Sequence, residues 1–277
     1  MEYHKNIFQD FSLCFWEENS LVAIAPANIR NRIWISHEGL TFGGIIVKDS
    51  DFTKLNEYIR EMDKFLIANK IEESKITLPS NSFYFKPSNS MNFALIENGY
   101  ELTETHLNQV LIINSKLPNK KISNARSAEN KGIFISTNLN FLQDVYEIIK
   151  VNLNLKYEIE PVHSLNDITY LCSKFPDQIR IHAAIHEGKV IAGAITLKSK
   201  FALHIQYLGA SKDGKRLRAQ DLLVYELNNL SNNEMLNLSF GKSTSGKNAD
   251  LNSNLYNFKK EFGFIAESIL TLRRNLV

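Results

Sequence analysis

Cysteine is scarce: Cys14 and Cys172 are the only two among 277 residues. Two widely separated thiols make neither a disulfide framework nor a zinc site, so reduced thiols in a core are expected. Long apolar runs are missing too, and no stretch approaches the roughly 20 residues that a membrane span needs. The opening MEYHKNIFQDFSLCFWEEN carries acidic side chains in and after a short apolar part. It has no small-residue cleavage site and does not read as a signal peptide. An excess of charge is also absent. The 32 Lys and Arg against 30 Asp and Glu leave a net charge of +2, so bulk electrostatics does not demand nucleic acid. These absences give the expectation of a cytoplasmic protein with no membrane span, no nucleic-acid partner and no metal.

What is present is a core. The hydrophobic share of 44% is ample for packing, and the length suits one large domain or two ordinary ones. Residues 20–47 read as two adjoining strands with a turn at Arg30-Asn31-Arg32, the second broken by Gly39, Gly43 and Gly44. The spacing of Leu55, Ile59, Met62, Phe65 and Leu66 predicts an amphipathic helix over 52–70. A short strand KITLP, a loop, a helix MNFALIEN stopped by Gly99, and a strand ELTETHLNQVLIIN follow. From residue 181 the order returns. A hairpin turns at Glu187-Gly188, then come the strand FALHIQYLGAS, a helix over 218–230, and the strand MLNLSFG. The helix SNLYNFKKE is stopped by Gly263, and IAESILTLRRN closes the chain. Gly43 to Gly99 and Gly209 to Gly263 are each about 55 residues apart, the scale of a duplicated unit. The polar, basic stretch SKLPNKKISNARSAENKG lies between the halves and reads as a linker.

Residues 201–227 stand out in the second half. A strand runs into the basic loop KDGKRLRAQ, which opens onto a helix N-terminus. Backbone N–H groups and the helix dipole then point at one place, as in a phosphate site.

On these residues the chain resembles the GNAT acyltransferase fold. The likeness is carried by SHEGLTFGG (36–44), EPVHSL (160–165), KFPDQIRIHAAIHEGKVIAGAI (174–195), HIQYLGAS (204–211), LNLSFGKSTSG (236–246) and LNSNLYNFKKEFGF (251–264). The doubling resembles the tandem-GNAT group that contains Fem-type peptidyltransferases and acyltransferases of surface-polysaccharide clusters. The resemblance implies an α/β protein of two tandem GNAT-like domains, each a mixed central sheet flanked by helices. Residues 1–117 would form the acceptor-side domain and 118–277 the domain with the acyl-CoA site. The implied reaction is transfer of an acyl group from acyl-CoA, as cosubstrate, to the amine of a nucleotide-linked amino sugar used in lipopolysaccharide or capsule synthesis. A Fem-type aminoacyl-tRNA-dependent peptidyltransferase and a non-catalytic tandem-GNAT binding module are the alternatives. The chain departs from the single-domain GNAT pattern in two places. Its phosphate loop has one glycine, Gly214, and the usual tyrosine acid position holds Lys259.

Acyl transfer to an amine needs a donor held by its phosphates, N–H groups where the carbonyl oxygen gains charge, and a proton acceptor. The resemblance implies that Lys215, Arg216, Leu217, Arg218, Ala219 and Gln220 hold the donor and that the backbone at Leu208, Gly209 and Ala210 faces its carbonyl. His163, on the irregular segment EPVHSL, and His37 are the candidate catalytic histidines. His182 and His204, on strands, read as structural, and His186, beside the turn, as solvent-exposed. Gln206, Tyr84, Lys242, Ser243, Lys259 and Asn252 are the candidates for binding the acceptor. Strand alternation sends Gln206 and Tyr207 to opposite faces, and Gln206 is favoured for the cleft.

Overall fold

A computed structural model describes residues 7–36, 38–40, 43–84, 89–245 and 249–277; of Tyr157 and Ser245 it describes the backbone alone. The chain divides into two compact units. The first takes residues 1–107, 244–250 and 267–277, and the second takes 108–243 and 251–266. Two C-terminal segments thus belong to the first unit, where the sequence reading had one cut after residue 117. The closing strand explains this: residues 267–275 supply a strand that the first unit's sheet lacks.

The first stretch of chain forms β1 (Gln9–Asp10), β2 (Leu13–Glu17), β3 (Ser20–Ala25), β4 (Asn28–Arg30), β5 (Ile33–Ile35), β6 (Ile46–Val47), α1 (Phe52–Ala68), β7 (Glu73–Thr77), α2 (Ser90–Glu97) and β8 (Glu101–Leu111). Next come α3 (Asn119–Asn130), β9 (Phe134–Ser136), α4 (Leu142–Tyr157), α5 (Leu165–Lys174), β10 (Ile179–His186), β11 (Lys189–Lys198), β12 (Ala202–Ala210), α6 (Lys212–Arg216) and α7 (Ala219–Asn233). The chain ends with β13 (Asn237–Lys242), β14 (Thr244–Ser245), β15 (Asp250–Leu251), α8 (Ser253–Lys260) and β16 (Ile265–Asn275).

In the first unit the sheet order is β1-β4-β5-β7-β16-β8, and β5 runs parallel to β7. Helix α1 makes that crossover. Asp51 caps it by accepting the N–H groups of Thr53 and Lys54. Its Leu55, Ile59, Met62 and Leu66 are buried with Trp34 and Ile76 in one core. Phe65, expected on that face, is instead about half exposed and lies 6.2 Å from the ring of Phe11.

The second unit repeats the device. Its order is β13-β12-β11-β10-β9, with residues 108–111 paired to β13, β12 parallel to β13 and α7 as the crossover. The expected hairpin joins β10 to β11, and Glu187 and Gly188 both have positive φ, as a tight two-residue turn requires. Two apolar layers cover the sheet. Ile181, Ala183 and Ile185 pack with Val145 and Ile149 of α4, whereas Ala184 and Ala192 pack with Ala125 of α3 and Leu223 of α7. The α4 layer sits close: a Cβ at Gly193 would meet the Val145 side chain at 2.6 Å, and one at Gly209 would meet Ile149 Cα at 3.2 Å. A Cβ at Gly209 would thus press on the α4 backbone by a few tenths of an ångström. The mixed sheets flanked by helices agree with the fold expected from the sequence.

The stretch read as a linker is in large part helix α3. Its apolar face is narrow, with Ala125 and Ala128 buried and Ile122 half-buried, while its other residues are polar. Lys121 on this helix is buried, ion-paired to Asp221 at 3.3 Å and Glu261 at 2.9 Å, and lies 4.0 Å from the centre of the Phe262 ring. Cys172 is in the core as expected, but Cys14 is exposed on β2, so only one of the two thiols is a core thiol.

Candidate functional site

The second unit holds an opening between its two parallel strands. The ladder of β12 with β13 covers only Ala202, Leu203 and His204, against Asn237, Leu238 and Ser239. Beyond His204 that pairing stops, while β12 stays paired with β11 as far as Ala210. The parting coincides with a bulge. Ile195 partners Tyr207 and Thr196 partners Ile205, which leaves Gln206 as the extra residue on β12.

The bulge reverses the alternation of side chains. Before it, Leu203 and Ile205 point into the α7 layer; after it, Leu208 and Ala210 do. Tyr207, which regular alternation would send to the α7 side, instead packs in the α4 layer. The expectation that Gln206 and Tyr207 face opposite sides fails for this reason. The Gln206 side chain lies beside both His204 and Tyr207, favouring the charged form of each.

The same geometry separates the three candidate backbone donors. Ser211 N–H donates to the Ile191 carbonyl at 2.9 Å. In an antiparallel pair the direction alternates, so Gly209 also turns its N–H to β11, while Leu208 and Ala210 turn theirs away. The Ala210 backbone is taken by Asn152, whose Nδ2 donates to Ala210 O at 3.0 Å and whose Oδ1 lies 3.5 Å from Ala210 N. Leu208 is thus the candidate whose N–H points to the side that β13 has left.

At the end of β12 the basic loop is mostly a turn of helix, α6. Ser211 caps it, accepting the Gly214 N–H at 3.0 Å. Gly214 is there for closeness: a Cβ would lie 2.1 Å from the Ile191 carbonyl oxygen. Arg216 pairs with Asp213 at 2.9 Å. Arg218 adopts a left-handed conformation with φ 67° and turns the chain into α7, whose N-terminus has no side-chain cap. Leu217 and Ala219 are buried, and Gln220 follows in the first turn. Lys215 is close enough to Lys156 of α4 that, after burial, its charge is the second cause holding the Lys156 amine below its ordinary range. Like charges brought together beside an uncapped helix N-terminus suit an anion.

His163 lies in the segment joining α4 to α5, and is largely buried. Its Nδ1 is 2.9 Å from Tyr207 Oη, and its own N–H reaches the same oxygen at 3.3 Å. Tyr146 donates to the His163 carbonyl at 3.2 Å. On the other side of Gln206, His204 Nδ1 is 3.0 Å from Ser239 Oγ on β13. Burial, and then the charge of Lys259, push His204 down to about 4. His182, bonded to Thr196, is held down to about 4 by burial and then by Arg180.

Lys259 is the other ionisable group here. It is 2% exposed, and its Nζ donates to Gly241 O at 2.8 Å and Lys242 O at 2.7 Å, at the end of β13. Burial pushes its amine down to about 7.

Several residues marked in the sequence are occupied by the fold. Ser243 is buried and donates to Gln109 at 2.5 Å. Asn252 caps α8, accepting the Leu255 N–H at 3.0 Å. Lys242 is half-exposed on β13. Tyr84 belongs to the first unit, and burial pushes its hydroxyl up to about 12. His37 lies outside the described residues. Sequence reasoning set Tyr207 aside in favour of Gln206 and missed Tyr146 and Asn152. Each is ordinary in pattern: the bulge turns Tyr207 into the α4 layer, and α4 brings Asn152 to Ala210 and Tyr146 to His163. Among the described residues no group of three or more His, Cys, Asp or Glu is gathered to hold a metal ion, and no helix is long and apolar enough to cross a membrane.

No family model matches the chain, and no curated protein matches it in sequence. Solved structures do match in fold. FemX superposes with a TM-score of 0.75 at 10% identity, over 99% of this chain and 90% of that one. L-PGS from Bacillus licheniformis gives 0.64 at 12% identity, over 95% and 84%. A tandem GNAT protein from the clavulanic acid biosynthesis pathway gives 0.51 at 8% identity, over 96% and 82%. The fold is thus a tandem GNAT-like one.

Proposed function

We propose that this chain is an N-acyltransferase that moves an acyl group from acyl-CoA to the amine of a nucleotide-linked amino sugar. The observation that carries the reading is the parting of β12 from β13 beyond His204, with a basic turn and an uncapped helix N-terminus at the far end of β12. A thioester lying along β12 would have its pyrophosphate at Lys215 and the start of α7, and its carbonyl oxygen at the Leu208 N–H. The amine attacks the carbonyl carbon; a C–N bond forms and the C–S bond breaks. The ammonium product of attack loses one proton and the thiolate gains one. Lys259, pushed to about 7, suits a proton exchange at neutral pH. In its neutral form it keeps two N–H groups for the Gly241 and Lys242 carbonyls and a lone pair for a proton. The acceptor class rests on the sequence resemblance.

A second reading replaces acyl-CoA by an aminoacyl-tRNA, whose phosphates would suit the same basic turn. The larger TM-score to FemX than to the tandem GNAT protein favours it. Thiol release from a panel of acyl-CoAs, with and without nucleotide-linked amino sugars, tests the first. Transfer of labelled amino acid from charged tRNA tests the second. Amine-dependent thiol release supports the first reading; labelled product without thiol release replaces it by the second.

A further inference from the structure

We propose that Tyr207 sets the tautomer of His163, donating its hydroxyl proton to Nδ1 and so keeping the imidazole proton on Nε2, which makes His163 a hydrogen-bond donor and not a base. The inference follows from counting protons around one oxygen. Tyr207 Oη accepts the backbone N–H of His163 at 3.3 Å, and the backbone N–H of Val162 and the Gln206 amide are near enough to act on it as further donors. These are all donors. A phenol has one proton to give and two lone pairs to receive with, so three N–H groups already compete for its whole acceptor capacity and a proton on Nδ1 would be a fourth. The contact left for its own proton is Nδ1 of His163, at 2.9 Å, with the rings edge to face at 85°. If Nδ1 carried a proton, two hydrogens would meet in that contact and the phenol proton would have no acceptor there. Burial outweighs the three donors and holds Tyr207 above its ordinary range, so it remains a phenol.

The bulge makes the arrangement. The extra residue on β12 turns Tyr207 into the α4 layer and brings Gln206 beside it. The segment after α4 then brings the backbone N–H groups of Val162 and His163 toward the same oxygen, the His163 one at 3.3 Å. Tyr207 is thus a positioning residue, and it acts through His163.

For the proposed acyl transfer, on which this second part rests, His163 contributes an N–H at Nε2, and the proton from the amine goes elsewhere. A glutamine amide can present an N–H near the Nε2 position but cannot act as a base.

Long-range proton–nitrogen NMR of the 15N-labelled protein at pH 8 reads the tautomer without any substrate, with the His163 signals identified by their loss in His163→Gln. The expected result is a pattern with Nε2 protonated and Nδ1 bare, which becomes a mixture of tautomers in Tyr207→Phe. A proton on Nδ1 in the unsubstituted protein, or an unchanged pattern in a folded Tyr207→Phe protein, would overturn the proposal. In the transfer assay His163→Gln should stay within about tenfold of the parent, while His163→Ala loses about a hundredfold, the scale of one lost hydrogen-bond donor. Equal losses in both would overturn the donor role. If no donor supports transfer at all, the proposed function fails while the NMR result still decides the tautomer.

Discussion

Lys259 Nζ lies 2.8 Å from the carbonyl oxygen of Gly241, in a buried place where its contacts include two backbone carbonyls and the Phe240 ring at 5.5 Å. It bonds the end of β13 just beyond the point where that strand leaves β12.

A pH dependence of stability follows. Burial lowers the Lys259 amine from 10.5 to about 7. Between those values the unfolded chain holds a proton that the folded one lacks, so this residue's contribution to stability rises as pH rises through the window. The difference in unfolding free energy between the parent and Lys259→Met should grow from pH 7 to pH 10, by up to about 1.4 kcal/mol per pH unit. Urea titrations across that range check it; a constant difference would contradict the burial of a neutral amine.

The buried histidines act at the acid end. His182 and His204 are each lowered from 6.5 to about 4. The unfolded chain binds more protons between these values, so stability present above pH 6.5 is lost as pH falls towards 4. Replacing His182 by Gln should flatten that loss, by up to about 1.4 kcal/mol per pH unit. Thermal unfolding of both proteins at pH 4.5 and 7 measures it.

Gly214 leaves no space for a side chain, because the Ile191 carbonyl oxygen would lie 2.1 Å from its Cβ. Relief requires backbone movement where β11 meets α6. Gly214→Ala should cost about 2–3 kcal/mol in urea unfolding. It should also weaken donor binding, since the same turn leads into α7.

Lys215 tests the donor phosphates. Reversing its charge in Lys215→Glu should weaken acyl-CoA binding by at least about tenfold, with a smaller effect at high salt. Its charge, which lowers the Lys156 amine, predicts in addition that Lys156 titrates higher in that variant.

Much of the fold was legible in the sequence. The Glu187-Gly188 turn, the strand–helix–strand crossovers and the helix stop at Gly263 are local signals, and each is in the structure. Helix α3 was not legible because its apolar face is only Ile122, Ala125 and Ala128 among polar residues. The candidate site was less visible than the fold. A bulge at Gln206 adds one residue to a strand that looks regular, and one residue suffices to turn Tyr207 to the opposite face. The Asn152 amide on the Ala210 backbone depends on α4 lying close over Gly193 and Gly209, a contact between segments far apart in sequence. Gly214, read as part of a donor site, is needed first for packing, and Gly209 lies in tight contact with α4.

Isothermal titration with acetyl-CoA and longer acyl-CoAs tests the central claim most directly. The account predicts saturable binding at one site by at least one acyl-CoA, weakened by Lys215→Glu and retained in Tyr84→Phe. No binding by any acyl-CoA, or binding that Lys215→Glu leaves unchanged, would contradict it.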